Sequence, residues 1–307
     1  LAAQNQNQNG GGGTGTGGGG TGGGGTGGGG GTTTPPTGPN PVPKAWGLVS
    51  TGSGDGIGYA SALVGSTAYV GGAFSSVTDG TNVRPRGGVA AFDAATGALK
   101  ENFVADTNGS VKAMATDGSY LYIGGTFTVV NGQPRAYLAK LDPNTGAVVP
   151  WIQDANDRGF ALAVSSTKLY VGGAFDQLGG LNRRRAAAID LASGAGDSTF
   201  TPVIAGGSVN AIDAKADNSA VYVGGTFTTI NSASHNWLAK LSASGTVQLS
   251  GSSWQGMNSG PLDVEVAANG DGPYSISGNG TYLIAVGDFT STNGNGRRGI
   301  AIFSPAP

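Results

Sequence analysis

One six-residue pattern recurs five times along the chain and limits the folds that the chain can adopt. In its full form an aromatic and an aliphatic residue precede two glycines, a small residue and Phe, as in Tyr170-Val171-Gly172-Gly173-Ala174-Phe175. Three further copies begin at Tyr69, Tyr122 and Tyr222, and a degenerate copy, Ile-Ala-Val-Gly-Asp-Phe, begins at Ile284. A repeat period of about fifty residues predicts a repeat architecture rather than an ordinary globular domain.

The same succession of signals follows each copy of the pattern. A turn rich in Gly, Asn or Asp comes first, then a basic residue, and then a short strand with Ala at one fixed place. The basic residues are Arg86, Arg135, Arg183, His235 and Arg297, and the alanines are Ala90, Ala139, Ala187, Ala239 and Ala301. A second turn, one large aromatic residue and an alternating strand then lead to the next copy. Each unit therefore predicts about four short strands and no helix.

Four short strands in each unit predict an all-β chain that folds as a five-bladed β-propeller over residues 44–307. We expect the glycine pairs and the fixed alanines on the innermost strands, where backbones approach closely. The fifth unit stops before its aromatic residue and last strand, whereas Trp46 and the strand-like segment 58–63 precede the first copy. The sequence therefore predicts that this N-terminal strand completes the C-terminal blade and closes the ring.

The repeat resembles the delta-sixty repeat β-propeller family of secreted and surface proteins. The residues that carry the resemblance are, in the second unit, Arg135-Ala-Tyr-Leu-Ala139-Lys-Leu141-Asp142 and the later Trp151, followed by the glycine-pair strand that ends at Phe175. Four full copies and one split copy cover residues 44–307. The resemblance implies a secreted or surface propeller and assigns no activity, because most members of the family have no known role.

Residues 1–43 form a low-complexity tail outside the repeats. Gln and Asn alternate over residues 4–9, and Thr and Pro are frequent from 32 to 43. Residues 10–31 are glycine, except for Thr14, Thr16, Thr21 and Thr26. Such a tail cannot bury an apolar core and is expected to be disordered in isolation, as a flexible linker is.

An ordered glycine tract would need partners for its backbone N–H and C=O groups, since it carries no side chains that pack. We therefore predict that the tract is an assembly segment whose backbone contacts neighbouring subunits. Representative positions along it are Gly10, Gly13, Gly20, Gly25 and Gly31.

The composition argues against several classes of partner. A net charge of −2 gives no electrostatic reason to bind nucleic acid. No apolar run reaches the roughly 20 residues of a membrane span. The chain contains no cysteine, which excludes disulfides and thiolate metal sites. The first residue is Leu1 rather than Met, and removal of a secretory signal would explain this, so we expect an extracellular or cell-surface location.

The repeated basic residues are the first candidate site. They could contact an anion or a glycan on one face, or donate hydrogen bonds to carbonyls of neighbouring strands. We favour the structural role, because a residue that recurs in every unit usually serves the unit. His235 is the only histidine and has no evident partner ligands for a metal. Asp93, Asp142 and Asp190 begin turns, where a carboxylate caps its own backbone.

Several further residues are candidates for modification or catalysis. Asn108 and Asn279 fit the acceptor pattern for N-linked sugar, and the four threonines of the tract could carry O-linked sugar. A glycosidase needs paired carboxylates, but Glu101 and Glu265 are the only glutamates and most aspartates belong to repeated turns. The acidic and amide residues Asp263, Glu265, Asn269 and Asp271 match no known Ca²⁺ loop and are interpreted as turn residues. We predict no catalytic, cofactor or metal site.

These patterns favour an extracellular structural subunit. The propeller would form its body, and the glycine tract would link copies of the chain into a filament or a surface array. One alternative is a ligand- or glycan-binding propeller on a flexible stalk, and a second is a carbohydrate-active enzyme. Contact between residues 10–31 and a neighbouring chain would distinguish the first two hypotheses.

Overall fold

The structure is a computed structural model that describes residues 47–50, 56–79 and 81–248 and several shorter segments of the C-terminal region. Those segments are 255–256, 264–265, 272–278, 283–288, 291–292, 295–296 and 300–304. Every regular element in these ranges is a β-strand, and the prediction of an all-β chain is confirmed for them. The tail 1–43 and its predicted contacts lie outside the described residues.

The strands are numbered in chain order. The first eleven are β1 Gly47–Val49, β2 Ile57–Val64, β3 Thr67–Ala73, β4 Ser76–Thr78, β5 Val83–Pro85, β6 Val89–Asp93, β7 Val111–Thr116, β8 Leu121–Gly125, β9 Val129–Val130, β10 Gln133–Pro134 and β11 Leu138–Leu141. The next eleven are β12 Gly159–Val164, β13 Lys168–Gly173, β14 Gln177–Leu178, β15 Leu181–Asn182, β16 Ala186–Asp190, β17 Ile204–Ala205, β18 Val209–Ala214, β19 Val221–Gly225, β20 Thr229–Ile230, β21 Ala233–Ser234 and β22 Leu238–Leu241. The last seven are β23 Gln255–Gly256, β24 Val264–Glu265, β25 Gly272–Gly278, β26 Leu283–Asp288, β27 Ser291–Thr292, β28 Asn295–Gly296 and β29 Ile300–Ser304.

Five main antiparallel sheets follow one another along the chain. Sheet 1 has the strand order β2-β3-β6, sheet 2 β7-β8-β11, sheet 3 β12-β13-β16, sheet 4 β18-β19-β22 and sheet 5 β25-β26-β29-β23. In each of sheets 1 to 4 a further chain segment pairs with the outer strand through a single β-bridge. The bridging residues of these segments are, in sheet order, Leu99, Val148, Gly196 and Val247. Small sheets of two or three strands include the segments between the second and third strands of each main sheet. Sheets 1 to 4 thus have three strands and one bridged segment, and four strands are found only in sheet 5 among the described residues.

The glycine pair lies on the second strand of each of sheets 1 to 4, which corrects the prediction that it lies on the innermost strand. The first strands of successive sheets pack side by side, β2 on β7, β7 on β12, β12 on β18 and β18 on β25, so these strands form the inside of the array. The fixed Ala lies on the third strand, where Ala187 pairs with Val171 of the second. The strand that precedes the repeat pattern is therefore the innermost one.

The second glycine of the pair lies opposite a β-bulge in the first strand. In sheet 2 the register shifts between Val111 and Ala113, and a Cβ on Gly125 would overlap with the carbonyl oxygen of Ser110. The other main sheets have a bulge at the equivalent place. A bulge brings backbone close to the partner strand, and this close approach explains the recurrent glycine.

The first glycine of the pair makes room for the next sheet. A Cβ on Gly71 would lie 2.7 Å from Val111 Cγ1 and 2.9 Å from Met114 Sδ, two atoms of sheet 2. In the same way a Cβ on Gly172 would lie 2.5 Å from Val209 Cγ1 of sheet 4. At these two interfaces the neighbouring sheets therefore pack face to face at a distance that only a missing side chain allows.

The repeated tyrosines and the large aromatic residues form the core between sheets. Tyr69, Tyr122 and Tyr170 are almost fully buried. Each packs edge-on against the aromatic residue of its own unit, with ring centroids 5.3 Å apart for Phe103, 5.7 Å for Trp151 and 5.2 Å for Phe200. Such pairs add about 0.5–1.5 kcal/mol to the effect of burial alone. The equivalent Trp254 lies outside the described residues.

The predicted closure by the N-terminal strand is not confirmed by the described residues. Strand β2 pairs with β3 inside sheet 1, and β1 pairs with β4. The outer edge of sheet 5 is occupied instead by β23, where Gly256 pairs with Phe303. A two-residue turn containing Gly65, with φ 56°, joins β2 to β3. Pairing through so short a loop costs far less entropy than pairing with the far end of the chain.

The packing of the first glycine predicts unequal effects at two equivalent positions. Gly172→Ala is expected to destabilise the protein by about 1–3 kcal/mol, because the new methyl group overlaps with Val209. Gly124→Ala is the matched control, since its Cβ would lie 3.6 Å from the nearest atoms, including Leu162 Cδ1. Urea unfolding of both variants measures the difference. Equal costs, or no coupling between Gly172→Ala and Val209→Ala in a double-mutant cycle, would contradict this interpretation.

Candidate functional site

Three of the repeated basic residues bind backbone carbonyls in the same way. Each guanidinium donates one hydrogen bond to the carbonyl of the preceding residue and one to a carbonyl beyond the third strand. The donor–acceptor distances are 2.7 Å to Pro85 O and 3.0 Å to Glu101 O for Arg86, 2.6 Å to Pro134 O and 3.3 Å to Val149 O for Arg135, and 2.8 Å to Asn182 O and 2.9 Å to Asp197 O for Arg183. These side chains join the outer segment of each sheet to its third strand.

His235 occupies the equivalent backbone position in sheet 4. Its N–H donates to the carbonyl of Thr228, as that of Arg135 does to Thr128. Partial burial lowers the pKa of the imidazole. Among the described residues no group of three or more His, Asp or Glu side chains is placed to hold a metal ion. Arg297 lies outside the described residues.

The aspartates that begin turns cap their own backbone, as predicted. Asp93 Oδ1 accepts hydrogen bonds from the N–H of Thr96 at 2.9 Å and from its hydroxyl at 2.8 Å. These bonds lower the pKa of Asp93 to about 2. Asp142 and Asp190 accept equivalent bonds from Thr145 and Ser193. These carboxylates therefore already accept hydrogen bonds from their own turns.

The amide of Asn108 is also part of the fold. Its Oδ1 accepts from the N–H of Thr128 at 2.8 Å and of Val129 at 3.0 Å, and its Nδ2 donates to Thr128 Oγ1 at 2.9 Å. Asn156 accepts the equivalent backbone bonds in sheet 3. A sugar on Asn108 would alter the contact with Thr128. The other modification candidates, Asn279 and the threonines of the tract, lie outside the described residues, as do the assembly glycines.

One ion pair is largely buried. Lys168 Nζ pairs with Asp197 Oδ2, and their side chains are 18% and 9% exposed. Burial raises the pKa of Asp197, but the hydrogen bonds from Lys168 and Thr199 outweigh it and lower the pKa to about 2. Both groups lie within one sheet, so the pair stabilises sheet 3.

The candidate interface is one face of sheet 5. We call it the rear face and define it by Ile284, Val286, Ile300 and Ile302. Ile284 pairs with Ile302, and Val286 pairs with Ile300, so the four side chains lie on the same face of two neighbouring strands. Their exposed fractions are 40%, 43%, 55% and 39% in chain order. Four large apolar side chains thus form one exposed patch.

The equivalent positions of the other sheets are buried beneath the following sheet. In sheet 4, Tyr222 and Lys240 occupy the positions that Ile284 and Ile302 occupy in sheet 5. Gly224 and Leu238 occupy the positions of Val286 and Ile300. Tyr222 is 1% exposed and packs in a cluster with residues of sheet 5, including Leu283. The rear face of sheet 5 has no following sheet among the described residues.

The sequence analysis did not identify this face. The signal was present in the degenerate fifth copy, where Ile284 replaces the repeated Tyr and Val286 replaces the first glycine. Replacement of a space-making glycine by a branched residue indicates that the neighbouring surface differs from that of the other sheets.

A comparison with protein-family models matches two segments of the chain. The model described as "Domain of unknown function (DUF5122) beta-propeller" matches residues 116–145 and 220–248. These segments hold the second and third strands of sheets 2 and 4. The match and the repeated sheets together support a β-propeller. No curated protein matches the chain.

Solved structures give weak resemblances to the whole chain. The computationally designed Ika8 protein is 13% identical, with a TM-score of 0.45, over 83% of this chain and 67% of that one. The WD40 domain of Neurospora crassa Pan2 is 10% identical, with a TM-score of 0.45, over 79% of this chain and 60% of that one. No helix among the described residues is long and apolar enough to span a membrane.

The arginine contacts predict a stability effect. Arg135→Ala is expected to lower the free energy of unfolding by about 1–3 kcal/mol, because the carbonyls of Pro134 and Val149 lose a charged donor. Arg84→Ala is the control, since Arg84 is exposed and pairs with the exposed Glu101; it should cost less than about 1 kcal/mol. Equal unfolding midpoints for the two variants would contradict a structural role for Arg135.

The depressed pKa of Asp197 predicts a dependence of stability on acid. A group whose pKa is lower in the folded state stabilises the protein above its unfolded pKa, near 3.9, and this contribution is lost as the pH falls toward about 2. Asp197→Asn should therefore cost about 1–3 kcal/mol at pH 7 and flatten the loss of stability between about pH 4 and pH 2. Urea unfolding at several pH values measures this. An unchanged pH profile would contradict the role of the pair.

Proposed function

We propose that this chain is an extracellular structural subunit that assembles with copies of itself. Its five main sheets would be five blades of a propeller-type body, and its N-terminal glycine tract would contact neighbouring subunits. The feature that carries the proposal is the glycine tract of residues 10–31.

The rear face supports assembly because its side chains suit a buried environment. Single exposed apolar residues are ordinary on protein surfaces, but contiguous apolar patches mark interaction sites. Ile284 and Ile302 form one cross-strand pair, and Val286 and Ile300 form the next. Burial of such a side chain contributes roughly 1.5–3 kcal/mol. Covering this face, by sheet 1 of the same chain or by a neighbouring subunit, would therefore stabilise the protein.

The repeated polar residues support a structural body. Arg86, Arg135 and Arg183 donate to carbonyls of their own sheets, and Asp93 and Asp190 cap their own turns. Groups that already hold the backbone in place are poorly suited to binding a ligand or turning over a substrate. The repeated arginines and aspartates thus stabilise the fold.

The glycine tract supplies reach for a contact between subunits. Residues 10–31 would extend about 68 Å as a polyproline-II-type helix at roughly 3.1 Å per residue. Without side chains the tract could lie in a narrow groove and form backbone hydrogen bonds, each contributing about 0.5–1.5 kcal/mol. A tail that binds a different surface of the next copy makes a heterologous contact. Such contacts build open filaments unless the rotation closes a ring.

The proposed extracellular location rests on the resemblance of the repeats to the delta-sixty family of secreted and surface propellers. Thr14, Thr16, Thr21 and Thr26 would project from a bound tract and remain available to O-linked sugar. Glycans on the tract would then decorate the assembled polymer rather than block its contacts.

Truncation tests the role of the tract. Protein that begins at Pro43 should fold with an unchanged β-sheet circular dichroism spectrum, because the repeats supply their own core. It should not form filaments in negative-stain electron micrographs, whereas the full chain should. A full-length variant with the glycines at 17–20 and 22–25 replaced by Pro is the matched control for length, and it should also fail to polymerise. Filaments of normal length from the truncated protein would contradict the proposal.

A further inference from the structure

We propose that one end of the array of sheets binds an acidic saccharide. This end, which we call the bulge end, is the end of each main sheet at which the first strand carries its bulge. The inference goes beyond the proposed assembly and does not depend on it. It rests on two sets of large residues, one at the bulges of the first strands and one directly before the third strands.

The first set consists of the extra residues of the bulges. They are, in sheet order, Tyr59, Lys112, Phe160, Asn210 and Tyr274. In sheet 2 the flanking residues Val111 and Ala113 are buried. A bulge re-aims the side chain of its extra residue, and Tyr59, Lys112 and Asn210 are only partly buried. These three large side chains therefore differ from the small and aliphatic residues that pack the first strands.

The bulge residues of sheets 1 and 2 are in contact. Lys112 Nζ lies 3.3 Å from the centroid of the Tyr59 ring, which is a cation–π interaction. Since the first strands of successive sheets pack side by side, the bulge positions form one row along the inside of the array. Among the described residues no carboxylate forms an ion pair with Lys112. Its ammonium group can therefore pair with a bound anion.

The second set lies beside the glycine pair. Tyr137, Arg185 and Trp237 have φ angles of 67°, 68° and 62°, in the left-handed region that disfavours bulky residues. Sheet 1 has Gly88 at the equivalent place, with φ 79°. The carbonyl of each of these residues accepts a hydrogen bond from the second glycine of the pair, as Tyr137 O does from Gly125 N at 3.1 Å. The backbone thus requires this conformation, and glycine would adopt it without strain.

Large side chains at strained positions indicate a role for the side chain itself. Strained residues persist where the surrounding structure fixes them, and they cluster at ligand sites. Tyr137 and Trp237 pack partly against the core between sheets, yet both remain partly exposed. A ring that is fixed by packing on one side and accessible on the other is a suitable platform for a ligand.

The two sets adjoin each other. A Cβ on Gly159 would lie 3.3 Å from the carbonyl oxygen of Tyr137, and Gly159 directly precedes the bulge position of sheet 3. Arg185 Nε donates to Gly207 O at 2.9 Å, in the segment that leads into the first strand of sheet 4. Tyr137 and Arg185 thus reach from their own sheets to the next. Together the described members form a belt, defined as Tyr59, Lys112, Tyr137, Arg185, Asn210 and Trp237.

Closure of the ring would not cover this belt. Five of its six members belong to sheets 2 to 4, and each of these sheets packs against a neighbour on both sides. Their side chains are partly exposed despite these neighbours, so the exposure does not reflect a missing sheet. Tyr59 belongs to sheet 1, but Lys112 of sheet 2 already lies over its ring.

The belt has the chemistry that recognises an acidic sugar. Aromatic rings pack against the C–H faces of a sugar ring, and ammonium and amide groups such as those of Lys112 and Asn210 form hydrogen bonds with hydroxyl groups. The belt contains two cations and no carboxylate. Arg185 is paired with Asp176 at 3.0 Å, which leaves Lys112 to form a charge-assisted bond with a carboxylate of the ligand.

Calorimetric titration of the full chain with a tetramer of galacturonic acid tests the proposal. A tetramer of galactose is the neutral comparison, and a tetraglutamate peptide carries the same charge without sugar rings. The acidic saccharide should bind at least about tenfold more tightly than either, since the rings and Lys112 both contribute. Failure of the acidic saccharide to bind at millimolar concentrations, or equal binding of either comparison ligand, would overturn the proposal.

Two lysine variants locate the site. Lys112→Met should weaken binding of the acidic saccharide by at least about tenfold, because the ligand carboxylate loses its charged partner. Lys140→Met is the matched control and should leave the affinity unchanged. Lys140 Nζ makes a similar contact, 3.7 Å from the centroid of the Tyr120 ring, but Tyr120 precedes the second strand at the opposite end of sheet 2. Equal affinities of the two variants would contradict the proposed site.

Tyr137→Gly separates binding from folding. Glycine suits the left-handed backbone at this place, so the variant should keep its β-sheet circular dichroism spectrum. It loses an aromatic platform and should bind the acidic saccharide at least about fivefold more weakly. A folded variant with undiminished affinity would contradict the proposal. If the loss of packing unfolds this variant, the comparison of Lys112→Met with Lys140→Met still decides the question.

Discussion

The structure depends on close face-to-face packing between neighbouring sheets. A glycine on the second strand of one sheet allows the first strand of the next to approach, as Gly71 does for Val111 and Met114. The second glycine allows the bulge that shapes the innermost strand, and the tyrosine beside them fills the wedge between sheets. The repeat pattern therefore reflects the packing between neighbouring sheets.

Much of the fold could be predicted from the sequence because these constraints are local. The glycine pair, the fixed alanine and the turn aspartates each leave a residue type at a fixed spacing. The sequence does not show which strand is innermost. In sheet 4 both the strand Val209–Ala214 and the following strand with the glycine pair contain small residues that suit a crowded position. The structure places the bulged strand inside and the glycine pair second. Strand pairing at the two ends could not be predicted either, because counting units does not show where a unit begins.

The candidate site could also be predicted only in part. The carbonyl contacts of Arg135 and the turn cap of Asp93 could be predicted, since each arises within one repeat unit. The rear face could not, because it depends on which sheet has no successor and on the strand register that brings Ile284 beside Ile302. Val286 in the last unit departs from the repeat, since it occupies the place of the first glycine.

The central claim is that the missing side chains of Gly71 and Gly172 allow neighbouring sheets to pack closely. A high-resolution crystal structure of the full chain tests it most directly. The account predicts that the Cα of Gly71 lies in van der Waals contact with Val111 and Met114, and the Cα of Gly172 with Val209. A gap or a layer of water between these residues would contradict it.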